Sequence, residues 1–497
     1  MWDAIVIGAG ISGCSVAREL SRYDLKVLVL EKGHDICAAT TKGNSATVHA
    51  GYDPEPGTNK AIYNVRGSRM YPELCAELEV PYTKNGMIVF ATTEEQMKEV
   101  RHLKEMGDRN GVETKVCDRA ALLEIEPDMG EGVIGGLWIP DSGMVCPYSL
   151  CIALAENAAW NGVVFETSAK VEAVERAEGG NWRVRTADDS YTTRYVFNCA
   201  GTYADRFNNM VSKDTFHIIP REGQHLILDR ELAQYTKVTI CQTPEPLPGG
   251  GHTKGMGLMP SVDGTVILGC NADQVDDPDF CDSTQEGIDK IVNYFEEKWK
   301  YLPISKHVPK FPRDAVITIY GGSRAHPDRD DFILGEPEDA PGFINLAGIE
   351  SPGVTAAPAI AVDMVKILVD REGLTQKAGY KPGRQVKPCF RTMTKEERQA
   401  AIAADPDYAK IVCRCEQVTE AEIRDAIRRP VGARSINGVK MRTRAGMGRC
   451  QGGFCGTRVL QILCEELGRP PLEITQSGGH SNVLVSKACE LEEEEKA

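Results

Sequence analysis

The hydrophobic pattern at the start of the chain predicts a strand, a glycine-rich turn and a helix, in that order. Residues 4–7 form a continuous apolar run of β type, GAGISG follows at once, and residues 14–20 continue as a helix. The segment LKVLVLEKG then predicts a second buried strand that ends near Glu31. Buried strands joined by helices indicate an α/β domain built on a parallel sheet.

Two later segments repeat this arrangement. Residues 195–201, YVFNCAG, predict a strand that runs into a turn of small residues. Residues 345–368, NLAGIESPGVTAAPAIAVDMVKIL, predict a strand, a glycine turn and a helix, with Pro352 suited to the first helical turn. The positive end of such a helix would stabilise a ligand that gains negative charge.

Patches in which apolar and polar residues alternate mark a second kind of strand. They occur in WRVRT, HLILD and TVILG, and they are typical of strands that bury only one face. Such strands are expected to form an antiparallel sheet, separate from the parallel one.

The pattern changes again beyond about Asp370. The segment REGLTQKAGYKPGRQVKP is rich in Gly, Pro and charge, so residues 371–405 are interpreted as a linker, although KEERQAAIAAD looks helical. VTEAEIRDAIRR predicts a helix with Thr419 as its cap and Glu422 completing a capping box, and QGGFCGTRVLQILCEEL predicts another. Residues 406–475 are therefore expected to form a small helical module that needs a cross-link or a metal centre for stability. A tail would follow over residues 476–497.

Composition narrows the class of protein. A chain of 497 residues suggests two to four domains, and no apolar run reaches the roughly 20 residues that span a bilayer. Asp3 stands where a signal peptide needs positive charge, so a cytoplasmic protein is expected. The net charge of −15 argues against nucleic acid as a partner, and the seventeen cysteines are expected to be thiols or metal ligands.

The first glycine turn predicts a dinucleotide site. Gly8 permits the turn, Gly10 lets the backbone approach a pyrophosphate, and Gly13 allows close packing of the helix. Glu31, about 20 residues farther on, would accept hydrogen bonds from the ribose hydroxyls. FAD is favoured over NAD because the motif stands on the first strand and has the two later segments as partners.

In these motifs the sequence resembles the glutathione-reductase-like flavoproteins of the D-amino-acid oxidase type, over residues 1–370. The resemblance implies a glutathione-reductase-like FAD-binding domain (about residues 1–80, 145–215 and 325–370) with an inserted antiparallel β-sheet substrate domain (about residues 81–144 and 216–324). A small C-terminal helical iron-sulfur domain would follow. The residues that it implies for FAD binding, besides Gly8, Gly10, Gly13 and Glu31, are Ile11, Ser12, Lys32, Thr41, Asn44, Ser45, Val171, Ala200, Gly201, Gly348, Ser351, Gly353, Val354 and Thr355.

A narrower resemblance rests on NSATVHAGYDPEPGTNKA, residues 44–61. This segment is similar to one shared by anaerobic-type glycerol-3-phosphate dehydrogenases and L-2-hydroxyglutarate oxidoreductases, whose histidine lies by the flavin. PREGQHLILD, KGMGLMPSVDGTVILG, GGSRAHPDRDDFIL and AGIESPGVTAAPAIA match the glycerol-3-phosphate group in the same order. The resemblance implies oxidation of sn-glycerol 3-phosphate to dihydroxyacetone phosphate. A 2-hydroxy acid, an amine or imino acid, and a relay subunit without its own catalysis stay open as alternatives.

The chemistry of alcohol oxidation selects further candidates. A base near neutral pKa must take the hydroxyl proton, and His49 is the first candidate, ahead of His225, His252 and His326. A guanidinium binds phosphate or carboxylate through two hydrogen bonds, so Arg324 is the first candidate for the anion. Arg221 and Lys254 are second candidates. The family's Gly-Asn-x-x-x-Gly-Pro element is missing around residues 260–270, which leaves room for a shifted substrate preference.

Four cysteines near the C terminus predict a metal centre. Cys413 and Cys415 are separated by one residue, and Cys450 and Cys455 by four, whereas structural zinc prefers two or more residues between paired cysteines. An iron-sulfur cluster, zinc and uncoordinated thiols remain as alternatives on spacing alone. CRCEQVTEAEI and TRAGMGRCQGGFCG resemble the [2Fe-2S] domain named for bacterioferritin-associated ferredoxin.

A cluster that takes one electron at a time implies an acceptor outside the chain. A redox partner protein or a further flavoprotein subunit is therefore expected, with a peripheral position at the inner face of the membrane through that partner as an alternative. Arg414, Arg444 and Arg449 surround the cysteines in the sequence. They are expected either to dock an acidic partner or tune the reduction potential, or to be simply solvated.

Overall fold

The computed structural model describes residues 1–244 and 255–487. In these ranges the strands, in chain order, are β1 Trp2–Ile7, β2 Val27–Leu30, β3 Thr47–Val48, β4 Tyr82–Thr83, β5 Met87–Ala91, β6 Lys115–Asp118, β7 Gly135–Ile139, β8 Gly143–Val145, β9 Val164–Glu166, β10 Val171–Arg176, β11 Trp182–Thr186, β12 Ser190–Asn198, β13 Ile218–Leu228, β14 Thr239–Gln242, β15 Gly257–Pro260, β16 Val266–Gly269, β17 Asp273–Gln274, β18 Val316–Pro327, β19 Ile333–Gly335, β20 Phe343–Ala347, β21 Ile411–Cys413 and β22 Val418–Thr419.

The helices of the same ranges are α1 Ile11–Leu20, α2 Asn59–Glu77, α3 Glu94–Arg109, α4 Arg119–Ile125, α5 Pro147–Trp160, α6 Ala204–Val211, α7 Gln285–Lys298, α8 Gly353–Glu372, α9 Lys395–Ala404, α10 Glu420–Arg428, α11 Ile436–Thr443 and α12 Gly456–Leu467. In the described part of the chain no helix is long and apolar enough to cross a membrane.

The first sheet has β1 at its centre, paired in parallel with β2 on one side and β12 on the other. Its order is β10-β11-β12-β1-β2-β9, with β20 added beside β12 and β19 beside β20. Val6 and Val29 face a core shared with α1, α5 and α8, whereas Ile5 and Leu28 face a second core on the other side. Helices cover the first face, so the predicted α/β fold with a parallel sheet is confirmed.

One predicted strand belongs to a different sheet from the one expected. WRVRT forms β11, an antiparallel extension of the first sheet between β10 and β12. The residues of β11 alternate between buried and exposed because this extension of the sheet is covered on one face only. A strand of a separate antiparallel sheet would show the same two-residue alternation. The expectation that WRVRT joins the second sheet is wrong.

The second sheet has the order β17-β13-β16-β15-β14-β5-β7-β6, and β18 pairs with β13 along its whole length. Its pairings are antiparallel except for β5 with β14. HLILD lies largely in β13 and TVILG in β16, as predicted. Apolar residues of α7 cover one face of this sheet.

The C-terminal module packs α10, α11 and α12 around a small apolar core that includes Ile423, Val439 and Ile462. The predicted capping box is confirmed, since the Thr419 side chain accepts from the N–H of Glu422 and the Glu422 carboxylate accepts from the N–H of Thr419. In the segment interpreted as a linker, α8 continues to Glu372 and α9 begins after a capping box at Thr394.

Buried ion pairs attach this module to the first sheet. The Arg442 guanidinium is 0% exposed and donates two hydrogen bonds to Asp35, of 2.7 and 2.8 Å, in the loop after β2. Asp35 raises the pKa of Arg442 against the effect of burial. Arg429 and Arg384 in the same way meet Glu156 of α5, whose side chain is 1% exposed. The module therefore depends on charges in the nucleotide-binding part of the chain.

Replacing Asp35 by Ala should destabilise the protein by about 3–5 kcal/mol, because it leaves the Arg442 charge buried without its carboxylate partner. Chemical unfolding of the purified protein measures this change. The double variant Asp35→Ala/Arg442→Met should recover most of the loss. Asp108→Ala, which breaks the more exposed pair with Lys104, should change stability by less than about 0.5 kcal/mol. Equal effects of the two Asp variants would contradict a special role for the buried pair.

Candidate functional site

The first glycine turn is fixed by contacts that leave no room for side chains. A Cβ at Gly8, whose φ is +98°, would lie 2.6 Å from the carbonyl oxygen of Cys199 at the end of β12. A Cβ at Gly13 would lie 1.9 Å from the carbonyl oxygen of Gly8. The helix α1 can therefore start directly against the turn, with its unpaired N–H groups at the end of the sheet.

Two polar side chains hold the backbone of the turn. Glu31 accepts one hydrogen bond from the N–H of Ala9 and one from the N–H of Gly33, both of 2.7 Å. Thr41 Oγ1 accepts from the N–H of Ile11 at 3.0 Å. The carboxylate predicted to bind a ribose thus stands directly beside the loop predicted to approach a pyrophosphate.

A cavity of about 730 Å³ opens at this edge of the sheet and extends to the second sheet. Most residues that the resemblance implied for FAD binding line it: Gly8, Gly10, Ile11, Ser12, Glu31, Lys32, Thr41, Asn44, Ser45, Val171, Ala200, Gly201, Ser351, Gly353 and Val354.

The other three implied residues lie just behind this surface. Gly13 packs against Gly8, and Gly348 has a φ of +64° beside Pro327. Thr355 is 0% exposed, and its hydroxyl accepts from the N–H of His49 at 3.1 Å. Thr355 therefore supports the histidine segment through the backbone, and the helix α8 that carries it begins at the cavity wall.

Three features of the cavity show that its residues fit FAD. Gly8 and Gly13 stand where a side chain would collide with backbone, a carboxylate lies beside the loop, and two helices, α1 and α8, begin at the cavity. An extended dinucleotide needs this combination of close backbone approach and helix N-termini.

The structure brings three of the four predicted catalytic residues to one cavity. His49, Arg221 and Arg324 all line it, whereas Lys254 lies outside the described residues. Arg221 on β13 is the direct cross-strand neighbour of Arg324 on β18, so two guanidinium groups enter from the same patch of the second sheet. A site with paired positive charge is suited to a small anion.

The rival histidines have other roles in the structure. His326 contacts Glu350 at 3.1 Å, and Lys60 meets the same carboxylate at 2.8 Å. Although burial opposes it, these partners lower the pKa of Glu350 to about 2, so Glu350 is a permanent carboxylate in the cavity wall. His225 stacks on Tyr320 with ring centroids 4.8 Å apart. His252 lies outside the described residues.

The sequence analysis missed one neighbour of Arg324. The Cys270 sulfur accepts from Arg324 Nη2 at 2.5 Å, while the carbonyl oxygen of Asn271 accepts from Nη1 at 3.3 Å. The only signal in the sequence was that this loop departs from the family's pattern. The thiol and the guanidinium are 54 residues apart in the chain, so their contact cannot be read from spacing.

The four C-terminal cysteines form two pairs. The Cys455 thiol is hydrogen-bonded to Cys413, and Cys415 Sγ lies 4.0 Å from Cys450 Sγ. Among the described residues no three His, Cys, Asp or Glu side chains are arranged around one point to hold a single ion. A [2Fe-2S] cluster instead takes two cysteines at each iron, which is compatible with two pairs.

Backbone amides face these sulfurs. The Cys455 thiol and the N–H groups of Gly446 and Glu416 lower the pKa of Cys413 to about 6. The N–H groups of Phe454 and Gly452 lower the pKa of Cys450. Sulfurs that accept hydrogen bonds from amides are favoured as thiolates, the form that binds iron.

The arginines near the cysteines have contacts within the chain. Arg444 is largely buried between Asp263 and Glu416, at 2.6 and 2.9 Å, so simple solvation does not describe it. Arg449 meets Asp229 at 2.7 Å, but its side chain is 66% exposed. Arg414 lies over the ring of Phe454, 4.6 Å from its centroid. Docking of a partner and tuning of the potential by these arginines stay predictions.

The fold and the cavity together define a dinucleotide-binding protein with a separate four-cysteine module. Comparison with known proteins specifies both parts. The family described as FAD dependent oxidoreductase matches residues 3–367, and the BFD-like [2Fe-2S] binding domain matches residues 411–465. The chain belongs to the FAD dependent oxidoreductase family, and its cofactors are FAD and a [2Fe-2S] cluster.

Individual relatives agree with this assignment. A glycerol 3-phosphate dehydrogenase of Caloramator mitchellensis is 43% identical over 97% of this chain and 98% of its own. A mitochondrial L-2-hydroxyglutarate dehydrogenase of Arabidopsis thaliana is 26% identical over 72% of this chain and 82% of its own. The solved structure of the dithionite-reduced L-alpha-glycerophosphate oxidase of Mycoplasma pneumoniae, with FAD bound, covers 78% of this chain and 99% of its own, with a TM-score of 0.70 and 27% identity.

Replacing Gly13 by Ala should abolish retention of FAD, because the added Cβ would collide with the Gly8 carbonyl and push α1 away from the turn. The flavin absorbance that remains with the protein after gel filtration measures this. Gly379→Ala is the matched control, since a Cβ there meets nothing within 4 Å. Full flavin content in the Gly13 variant would contradict the role assigned to the turn.

Proposed function

We propose that the protein is a dehydrogenase that oxidises sn-glycerol 3-phosphate to dihydroxyacetone phosphate and passes the electrons through its cluster to a partner. The observation that carries the proposal is the meeting of His49, Arg221 and Arg324 in the cavity that begins at the glycine turn. Similarity over nearly the whole chain to a glycerol 3-phosphate dehydrogenase supports the substrate. Residues 1–370 would carry the oxidation and residues 406–475 the cluster.

The two arginines would hold the phosphate. Arg324 keeps one edge on Cys270 and Asn271, which fixes the plane of its guanidinium, and its remaining N–H groups are available to an anion. Arg221 stands directly opposite on the neighbouring strand. Together they offset a doubly charged phosphate better than a single arginine would.

His49 would take the proton of the substrate hydroxyl. Its backbone is fixed from two sides, by Thr355 of α8 at the N–H and by Asn64 of α2 at the carbonyl. Such support orients the imidazole for proton transfer, which is worth about 10²–10⁴ in rate. Bound FAD supplies the two-electron acceptor, and the cluster carries electrons one at a time.

The exposed pair of cysteines marks the exit for electrons. Cys415 and Cys450 are exposed, whereas Cys413 and Cys455 are buried. Phe454, between Cys450 and Cys455, is 60% exposed. A partner protein could therefore approach this edge of the module closely. The proposal includes this partner protein as the electron acceptor, together with any contact that it makes with a membrane.

The substrate is tested by anaerobic titration of the purified holoprotein with sn-glycerol 3-phosphate, and separately with L-2-hydroxyglutarate. We expect the phosphate to bleach the flavin absorbance and then to lower the iron-sulfur absorbance, because electrons pass from one cofactor to the other. In His49→Ala the flavin content should be unchanged and the rate of bleaching lower by about 10²–10⁴.

Other outcomes reassign the function in defined ways. Bleaching by the hydroxy acid alone would replace the substrate and keep the site, a result that the Arabidopsis relative makes the first alternative. Bleaching by an amino acid would indicate amine oxidation. No bleaching by any of these, with both cofactors present, would support a relay subunit. An unchanged rate in His49→Ala would end its assignment as base.

Replacing Cys450 by Ser should remove the iron-sulfur absorbance and leave bleaching of the flavin by substrate, because the cluster lies in a separate module. Iron analysis and absorbance spectra measure the two effects. Cys464→Ser is the matched control, because this cysteine of α12 in the same module is not one of the four ligands. Loss of FAD together with the cluster would show instead that the module holds the flavin-binding part in shape.

A further inference from the structure

The thiol of Cys270 occupies part of the anion site. Its sulfur is 2.5 Å from Arg324 Nη2, and the residue lines the cavity and is only partly buried. Cys270 stands at the end of β16, next to the guanidinium proposed to hold the substrate's phosphate. A small molecule that reaches this phosphate site also reaches the sulfur.

A buried histidine supports the same sulfur. His225 is 1% exposed, and its side chain interacts with the Cys270 sulfur in a way that favours the thiolate. Its ring is held flat against Tyr320, and a Cβ added at Gly269 would lie 3.0 Å from its Cδ2 atom. The Cys270 sulfur therefore has two polar neighbours, Arg324 and His225.

The charges around Cys270 favour its ionised form. Burial opposes ionisation, but Arg324 and His225 outweigh it and lower the pKa of Cys270 to about 6. Cys241 also lines the cavity, and there burial raises the pKa to about 12. Cys199 lines the cavity as well, and burial raises its pKa too. At neutral pH Cys270 is therefore a thiolate and the other two are thiols, which makes only Cys270 a nucleophile.

We propose that Cys270 is a redox modification site, at which hydrogen peroxide forms a sulfenic acid that closes the anion site to the substrate. The inference rests on the proposed function only for the identity of the anion that is excluded. The oxidant is hydrogen peroxide from the surroundings, because the proposed dehydrogenase reaction does not produce it.

The step is a two-electron displacement. The Cys270 sulfur attacks one oxygen of hydrogen peroxide, an S–O bond forms and the O–O bond breaks. The sulfur is oxidised by two electrons, the peroxide is reduced, and the leaving hydroxide takes a proton from solvent to become water. Arg324 stabilises the thiolate before the step and contacts the new oxygen after it. A thiol reductant reverses the product by way of a disulfide.

Closure of the site follows from volume. The thiolate is a compact counter-ion that leaves the other N–H groups of Arg324 to a phosphate. An added oxygen at the sulfur places a hydroxyl in the space between Arg324 and the cavity, where the substrate's phosphate would otherwise bind. The substrate's anion and the modification therefore compete for one position.

The reactivity is tested on the wild-type holoprotein with iodoacetamide, by peptide mass spectrometry of each cysteine. We expect Cys270 to be alkylated at neutral pH about tenfold faster than Cys241. The rate at Cys270 should rise as pH increases through about 6, since the thiolate forms above the pKa, and should be level near pH 7. Inorganic phosphate should slow alkylation at Cys270 and leave the exposed Cys281 unaffected.

The modification is then tested with peroxide. Treatment should add one oxygen to the Cys270 peptide, abolish flavin bleaching by substrate, and be reversed by dithiothreitol. Cys241→Ser should keep this sensitivity, whereas Cys270→Ser should show no oxidation at that peptide. Slower alkylation of Cys270 than of Cys241 would overturn the proposal. So would a peroxide treatment that abolishes flavin bleaching by substrate but adds no oxygen to the Cys270 peptide.

The two proposals fail separately. Alkylation and its protection by inorganic phosphate are read from peptide masses and need no substrate turnover. If sn-glycerol 3-phosphate fails to bleach the flavin while phosphate still protects Cys270, the proposed function falls and the modification site stands. If sn-glycerol 3-phosphate bleaches the flavin while Cys270 is inert, the modification site falls and the proposed function stands.

Discussion

One carboxylate oxygen joins the cysteine module to the wall of the cavity. Glu416 Oε2 accepts from Arg230, Arg391 and Arg444 at 2.6, 3.0 and 2.9 Å, and the residue is only 3% exposed. Glu416 directly follows Cys415, whereas Arg230 lies just beyond the end of β13, after Asp229. A predicted iron ligand and a strand of the cavity wall are therefore joined through a single buried charge, which requires good geometry to be tolerated.

Arg444 extends this network to both sheets. It ends α11 in a left-handed conformation and meets Asp263 in the turn between β15 and β16, and its Nη1 also donates to the Tyr148 hydroxyl on α5 at 2.9 Å. Apolar packing alone would not fix the orientation of the module, because the hydrophobic effect is non-directional. Directional ion pairs fix its orientation, so the distance between the cysteines and the flavin-binding turn is set by the folded chain.

Local patterns in the sequence were enough to predict the elements around the glycine turn. The strand before Gly8 and the capping box at Thr419 each depend on residues close together in the chain, and Glu31 follows from the fixed spacing of the strand–turn–helix–strand unit. WRVRT was assigned to the wrong sheet because an alternating pattern reports that one face is buried and says nothing about what covers it. The contacts of Arg444 and Cys270 were missed because they join residues 181 and 54 positions apart.

The contact between Cys270 and Arg324 explains how the proposed anion site can stay formed before a substrate arrives. A guanidinium that is partly buried needs a counter-ion, and without one the strand that carries it would be destabilised. Cys270 supplies that charge from the position just after β16, and a sulfur leaves more of the guanidinium open than a carboxylate in a two-bond pair would. The cysteine that keeps Arg324 in place would therefore also put an oxidisable thiolate in the path of the proposed substrate.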